Sequence, residues 1–358
     1  MSNLCLKGEE KVVFKLRSLY SSFGYRPYKM RRFEEYDLYA GNKDFLVSGN
    51  IITFNDTDGK LMALKPDVTL SIVRSVRETG KTVARISYDE NVYRVSGSSG
   101  TFREIMQAGI ECIGDVGLVE MSEVALLAQM SLSAISASGV LTISHMGIVQ
   151  SLLSSVPEAL QRQAMAALSA RNISLLSKLA SDNPEYEESL NRLSVLLTLT
   201  GGTDEVFRKL ASLGADASSM EELKQIVSVL DPKKTRIDFS LLDGMKYYNG
   251  ITFRGFVEGV PVPVISGGQY DRLMKRMKKN CRAIGFAVYL DALERILEEV
   301  PEYDVDTVLL YKDSDDVTSV LSQAAKLREK GLSVATMKEI PANLRYRRAV
   351  QAGGDCNA

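Results

Sequence analysis

Between residues 105 and 113 the chain reads IMQAGIECI. As a strand, with side chains alternating between two faces, it carries Ile105, Gln107, Gly109, Glu111 and Ile113 on one side. Met106, Ala108, Ile110 and Cys112 fall on the other, an ordinary core face. The first side presents a carboxamide and a carboxylate with a glycine between them, donor and acceptor groups around an open space. Buried polar groups need partners. Such a pair therefore either closes an internal network with Arg94, a few residues upstream, or faces a polar ligand. Asp67 and Thr69 in KPDVT, and Tyr247, Tyr248 and Tyr270 in YYNGITF and GGQYDRL, are further polar groups at element boundaries. The single histidine, His145, ends a β-branched run and reads as structural, so histidine-based catalysis and histidine-ligated metals are not expected.

Several elements must position these residues. GEEKVVFKLRSLYSS (8–22) has helical spacing, with Val12, Val13, Leu16, Leu19 and Tyr20 on one face. Gly24 and Pro27 then break the chain into an extended stretch through residue 40. NIITFND and KLMALKP read as a hairpin around DTDG, and Pro66 opens a helix from about Asp67. TVARISYDENVYRV is a strand, and residues 105–113 return antiparallel to it. From about 119 to 230 helical periods dominate, with VLTIS the one strand-like run. Strand character resumes at TRIDF and continues through VISGG, and CRAIGFAVYLDALERI passes from strand into helix. The final segment, from DVDT to MKEI, has a β–α–β pattern, and the polar end QAGGDCNA reads as frayed. GSSG at 97–100 lacks the Gly-Lys-Ser/Thr of a phosphate loop and reads as a hairpin tip.

The bulk composition narrows the function. The chain has 358 residues, 45% apolar and 25% charged, with net charge −1. Nucleic-acid binding draws most of its affinity from phosphate neutralisation and favours basic chains, so no nucleic-acid partner is expected. Cys5, Cys112, Cys281 and Cys356 lack CxxC spacing, which argues for a reducing compartment and against a zinc site or disulfide framework. No apolar run of about 18 or more residues is present, and MSNLCLKGEEKVVFKL has charges where a signal peptide needs an apolar core. A cytoplasmic protein with no membrane contact is expected, without metal or cofactor.

Taken in order, the fragments resemble class II aminoacyl-tRNA synthetases, in the histidyl-tRNA synthetase branch. GYRPYKMRRFEEYDLY looks like motif 1, YRVSG…FREIMQAGIECIG like motif 2, and AIGFAVYLDALERI like motif 3. The resemblance implies an α+β fold, an antiparallel sheet flanked by helices, over residues 1–300. A helical insertion at about 119–230 and a truncated α/β segment at 304–358, similar to part of an anticodon-binding domain, complete it. It also implies that the Gln107–Glu111 face is the floor of a histidine pocket. Arg94, helped by Gln107, would take the ligand carboxylate, and Asp67 and Thr69 would accept from its ammonium. Glu111 and Tyr248 would bond the imidazole nitrogens, with Tyr247 and Tyr270 beside them and Gly109 leaving room for the ring.

Departures from the synthetase pattern imply a different activity. Ala292 stands where the motif 3 arginine grips ATP phosphates, Asp243 replaces a second catalytic arginine, and Ser96 replaces a motif 2 glutamate. Losing one such charge-stabilising group costs on the order of 10²–10³ in rate. Asp67 is one methylene shorter than the synthetase glutamate, and Lys246 replaces an aspartate. With FEEYDLYAGNKDF, LMALKPDVTLSIVRS and IPANLRYRRAV, the chain resembles the regulatory subunits of ATP phosphoribosyltransferase. That family implies a non-catalytic subunit carrying histidine feedback control. Its expected form is a homodimer within a hetero-oligomer with the short catalytic subunit, which binds ATP and phosphoribosyl pyrophosphate. The alternatives are a synthetase-like histidine sensor with another partner, and a true histidyl-tRNA synthetase.

Overall fold

The structure, a computed structural model, describes residues 7–42, 45–46, 51–77, 82–95, 100–240, 247–297 and 302–353. Ser96, Asp243 and Lys246, together with Cys5, Cys356 and most of the 97–100 tip, lie outside the described residues. Two compact units are present, Glu9–Ile296 and a smaller one that takes in the chain from Leu297 onward.

The strands of the larger unit are β1 (Arg26–Pro27), β2 (Phe33–Glu35), β3 (Thr53–Asn55), β4 (Leu61–Leu64), β5 (Val83–Val95) and β6 (Phe102–Gly114). They continue as β7 (Val140–His145), β8 (Thr200–Gly201), β9 (Thr235–Asp238), β10 (Ile251–Phe256), β11 (Ile265–Gln269) and β12 (Arg282–Tyr289). Nine of them form one sheet in the order β1-β5-β6-β12-β11-β10-β7-β9-β8, antiparallel except at β1–β5 and β7–β9. β2, β4 and β3 make a small antiparallel sheet.

Sequence alternation decides what each side of the large sheet meets. Ala108, Ile110 and Cys112 of β6 and Ile284, Phe286 and Val288 of β12 are buried on one face. Two helices pack near this face. Tyr20 of Gly8–Ser22 meets the Phe286 ring at 6.0 Å and shares a hydrogen bond with Ser131 of Leu118–Ile135. The latter is long and apolar enough to cross a membrane, the one such helix among the described residues, and it packs across β10, β12 and β7. On the opposite face, Tyr88, Val92 and Ile113 join Leu70, Ile72 and Val73 of the helix Thr69–Ser75 and Leu273 of Asp271–Arg276 in a second core.

β5 and β6 pair over 13 residues, from Val83–Gly114 to Val95–Phe102. β12 flanks β6 only from Gln107 to Gly114, and β1 meets β5 only at Ile86 and Ser87. The end of the hairpin is thus a two-stranded arm. Tyr93 N–H on this arm donates to Lys65 O at 2.9 Å.

Four local expectations change, the first being β8, a two-residue strand in the section where VLTIS was the one strand expected. The extended stretch through residue 40 contains a short helix, Tyr36–Ala40, which turns Tyr39 into the core. Pro66 precedes its helix by more than a turn boundary would require, since the helix starts at Thr69 and Asp67 accepts from Leu70 N–H at 2.8 Å. The smaller unit adds a strand to the β–α–β pattern. β13 (Val305–Leu310) lies between β14 (Val334–Met337) and β15 (Tyr346–Gln351), both parallel to it, with the helix Val317–Glu329 packed through Val320 and Ala324 onto Leu309.

Candidate functional site

The second face of the large sheet is hollow between β6, β12 and the Asp67–Thr69 corner. Register pairs Glu111 with Gly285 and Gln107 with Tyr289. Because position 285 has no side chain, the Glu111 carboxylate lies down over it; a β-carbon there would collide with Oε2. Both carboxylate oxygens are engaged. Thr69 Oγ1 donates to Oε1 at 2.6 Å, and the Tyr270 hydroxyl donates to Oε2. Tyr247 packs edge-on to Tyr248, ring centres 4.8 Å apart, and tilted against Tyr270 at 5.7 Å. Arg94, on the two-stranded arm, is steadied by its Nε donating to Pro66 O at 3.0 Å.

These groups enclose a cavity of about 730 Å³. All eight residues singled out from the sequence line it: Asp67, Thr69, Arg94, Gln107, Glu111, Tyr247, Tyr248 and Tyr270. The volume lies within the usual range for small-molecule sites, where apolar walls carry a few convergent polar groups.

Electrostatics set the two ends apart. Burial raises the Glu111 carboxyl to about 8, and nearby Asp67 adds to the effect, while the Thr69 and Tyr270 hydroxyls oppose it. Asp67 is itself raised by burial, against the Leu70 N–H and the Arg94 charge that favour its ionised form. At the other end Gln107 is 3% exposed, and its Nε2 has no hydrogen-bond partner among the described residues. An unmade bond of this kind costs about 1–3 kcal/mol, so a ligand acceptor placed there would recover it.

One sequence expectation needs correction. The space over Gly109 is filled from within: Tyr88, its cross-strand partner, lays its ring across it. Tyr88, Arg254, Ser266 and Tyr289 also line the cavity and were not singled out from the sequence. Counting register back from the hairpin tip could have found Tyr88; the others come from strands whose pairing the local pattern does not specify. His145 lies elsewhere. Its Nδ1 accepts from Gly147 N–H at 3.1 Å, so the ring proton sits on Nε2 and faces Glu222 at 2.9 Å. Ala292 lies in the short turn Leu290–Leu293 after β12 and brings only a methyl group.

Comparison with known proteins agrees with this architecture. The sequence model of the histidyl-tRNA synthetase family matches residues 6–293. An ATP phosphoribosyltransferase regulatory subunit from Syntrophotalea carbinolica is 30% identical, over 89% of this chain and 79% of its own. The chain belongs to the ATP phosphoribosyltransferase regulatory subunits, within the histidyl-tRNA synthetase family. Two solved structures share the fold. An ATP phosphoribosyltransferase regulatory subunit/histidyl-tRNA synthetase from Bacillus halodurans C superposes with a TM-score of 0.81 at 22% identity, covering 96% of this chain and 94% of its own. A chain of the ATP phosphoribosyl transferase (HisG:HisZ) complex from Thermotoga maritima gives 0.63 at 22% identity, covering 79% and 97%. As a member of this regulatory-subunit family, the chain is non-catalytic: the subunit regulates an enzyme and is not one itself.

Proposed function

We propose that the cavity is a histidine site through which this regulatory subunit controls histidine biosynthesis at its first step. The observation that carries the reading is the polarity of the cavity. A carboxylate held by Thr69 and Tyr270 stands at one end, and Arg94 with an unsatisfied Gln107 amide stands at the other. Histidine has matching ends. Its imidazole N–H would donate to Glu111, with Tyr248 beside the ring, and its carboxylate would meet Arg94 and Gln107. Asp67 would accept from the ammonium, and the Thr69 oxygen, which donates its own proton to Glu111, keeps lone pairs for the same purpose. Tyr247 and Tyr270 would form the apolar wall. Charge-assisted bonds of this type contribute about 1.5–3 kcal/mol each.

The catalytic partner in this reading is the short ATP phosphoribosyltransferase subunit, which binds ATP and phosphoribosyl pyrophosphate. The assembly is cytoplasmic, with no nucleic acid or membrane in it. A homodimer of this chain at its core is supported by the small sheet, whose Phe33 and Phe54 are 50% and 38% exposed with ring centres 5.3 Å apart.

Mixing the two purified subunits should give a larger species by light scattering, with activity that histidine suppresses. Coupling must be reciprocal: if histidine weakens substrate binding on the partner, substrate weakens histidine binding by the same factor. A catalytic subunit that is fully active alone, and indifferent to histidine in the mixture, would overturn this reading.

A further inference from the structure

We propose that Tyr88 is the specificity-determining residue of this cavity: its phenol ring, laid across Gly109 between Gln107 and Glu111, limits how large a ring the ligand can carry. The inference rests on the histidine reading above and deepens it, because nothing so far explains what would keep a larger amino acid out of a cavity of about 730 Å³.

The geometry is specific. Tyr88 and Gly109 are cross-strand partners, and Gln107 and Glu111 flank Gly109 on the same face. A β-carbon at position 109 would lie 2.6 Å from the Tyr88 hydroxyl oxygen and 2.7 Å from the ring carbon bearing it. The ring thus extends from β5 over β6, and its hydroxyl donates to Phe286 O on β12 at 3.4 Å. That bond is long, so the ring is positioned chiefly by packing. Tyr88 is 4% exposed and cannot swing aside without emptying the core that it shares with Ile113 and Tyr270. A ligand reaching from Arg94 to Glu111 must pass this ring. Both rings are flat, but a bicyclic ring is longer by one fused ring, and the phenol narrows the floor between Gln107 and Glu111 where that extra ring would lie.

An aromatic residue covering a strand glycine can also serve only the sheet. A role confined to that would change melting temperature and leave ligand discrimination untouched. The test is therefore a ratio. Calorimetric titration of the full chain with L-histidine and with L-tryptophan, which has the same zwitterion and a ring N–H on a larger frame, gives the preference of the parent. Tyr88→Ala should narrow that preference by at least about tenfold, the scale on which shape complementarity in a pocket discriminates. Tyr88→Leu, which refills part of the volume and protects the fold, should give an intermediate ratio. Tyr88→Phe should retain the parental ratio, since the ring does the excluding. An unchanged ratio in Tyr88→Ala and Tyr88→Leu, with a lowered melting temperature, would overturn this proposal alone. A parent that does not bind histidine would remove the histidine reading and this one together.

Discussion

The carboxylate of Glu111 occupies the space into which a side chain at position 285 would project. β12 passes beside β6 with Gly285 directly opposite Glu111, and the missing side chain lets the acid lie flat under the Thr69 and Tyr270 hydroxyls. Gly285→Ala should therefore act on the ligand through Glu111, with its β-carbon also pressing on Ile110 O of the neighbouring strand. It should lift the carboxylate off its two donors and weaken histidine binding by about tenfold or more, equivalent to one hydrogen bond to a charged group. Titration calorimetry checks this. Unchanged affinity would mean that the ligand does not depend on where Glu111 lies.

Direct substitutions follow the same logic. Glu111→Gln keeps the shape but can carry neither the negative charge nor the proton shared with the ring, and should cost about 1–3 kcal/mol of histidine affinity. Arg94→Ala should cost at least as much, because a bound carboxylate would be left without its counter-charge. If both variants bind like the parent, these side chains form only an internal network.

Stability should fall with rising pH through this group. The Glu111 carboxyl moves from an ordinary 4.5 to about 8 on folding, so the folded ligand-free chain holds a proton that the unfolded chain has released. Between these values the unfolded state binds fewer protons, so unfolding becomes easier as pH rises, and the loss is complete above about 8. The melting temperature of the parent should drop relative to that of Glu111→Gln between acidic pH and pH 8. Parallel curves for the two would place the carboxyl in its ordinary range.

Histidine affinity should peak between two protonations. A free imidazole titrates at about 6.5, and the empty site at about 8. One proton shared between ring and Glu111 satisfies the complex. Acidic solution supplies two and alkaline solution none, so binding weakens on both sides. Glu111→Gln should move the alkaline limb up to where the ligand's α-ammonium titrates and keep the acidic one.

The isolated chain should not activate histidine. With Ala292 contributing a methyl group after β12, pyrophosphate exchange into ATP should stay at background with and without histidine. Exchange above background would contradict a purely regulatory role.

The floor of the site was legible because a strand has a two-residue period. Gln107 and Glu111 had to share a face, and Ala108, Ile110 and Cys112 had to share the other, whatever the strand paired with. The helix at 8–22 was legible for the same local reason, and its Val12, Val13, Leu16 and Tyr20 are buried. Tyr88 was legible only with the register in hand, because its place over Gly109 depends on which residue of β6 stands opposite it, and a one-residue slip would aim it at the other face. β15 was hidden by its content: YRRAVQ sets two adjacent arginines before a short apolar pair, with no two-residue alternation, and its strand state comes from parallel pairing with β13, about 40 residues away in sequence. The use of Thr69 as a donor to Glu111 likewise required the distance between two elements that the sequence separates.

Arg94 and Glu111 belong to the same hairpin yet to mechanically different parts of it. Glu111 sits where β6 is held on both sides, by β5 and β12, whereas Arg94 sits on the arm that extends beyond β12. Hydrogen-bond protection should therefore be graded along one pair of strands, with amides near Glu111 exchanging through global unfolding and those near Arg94 through local opening. A ligand bridging the two would tie a yielding segment to an unyielding one. Part of its binding energy would then become order in the arm, and amide exchange there would slow on binding more than anywhere on the floor.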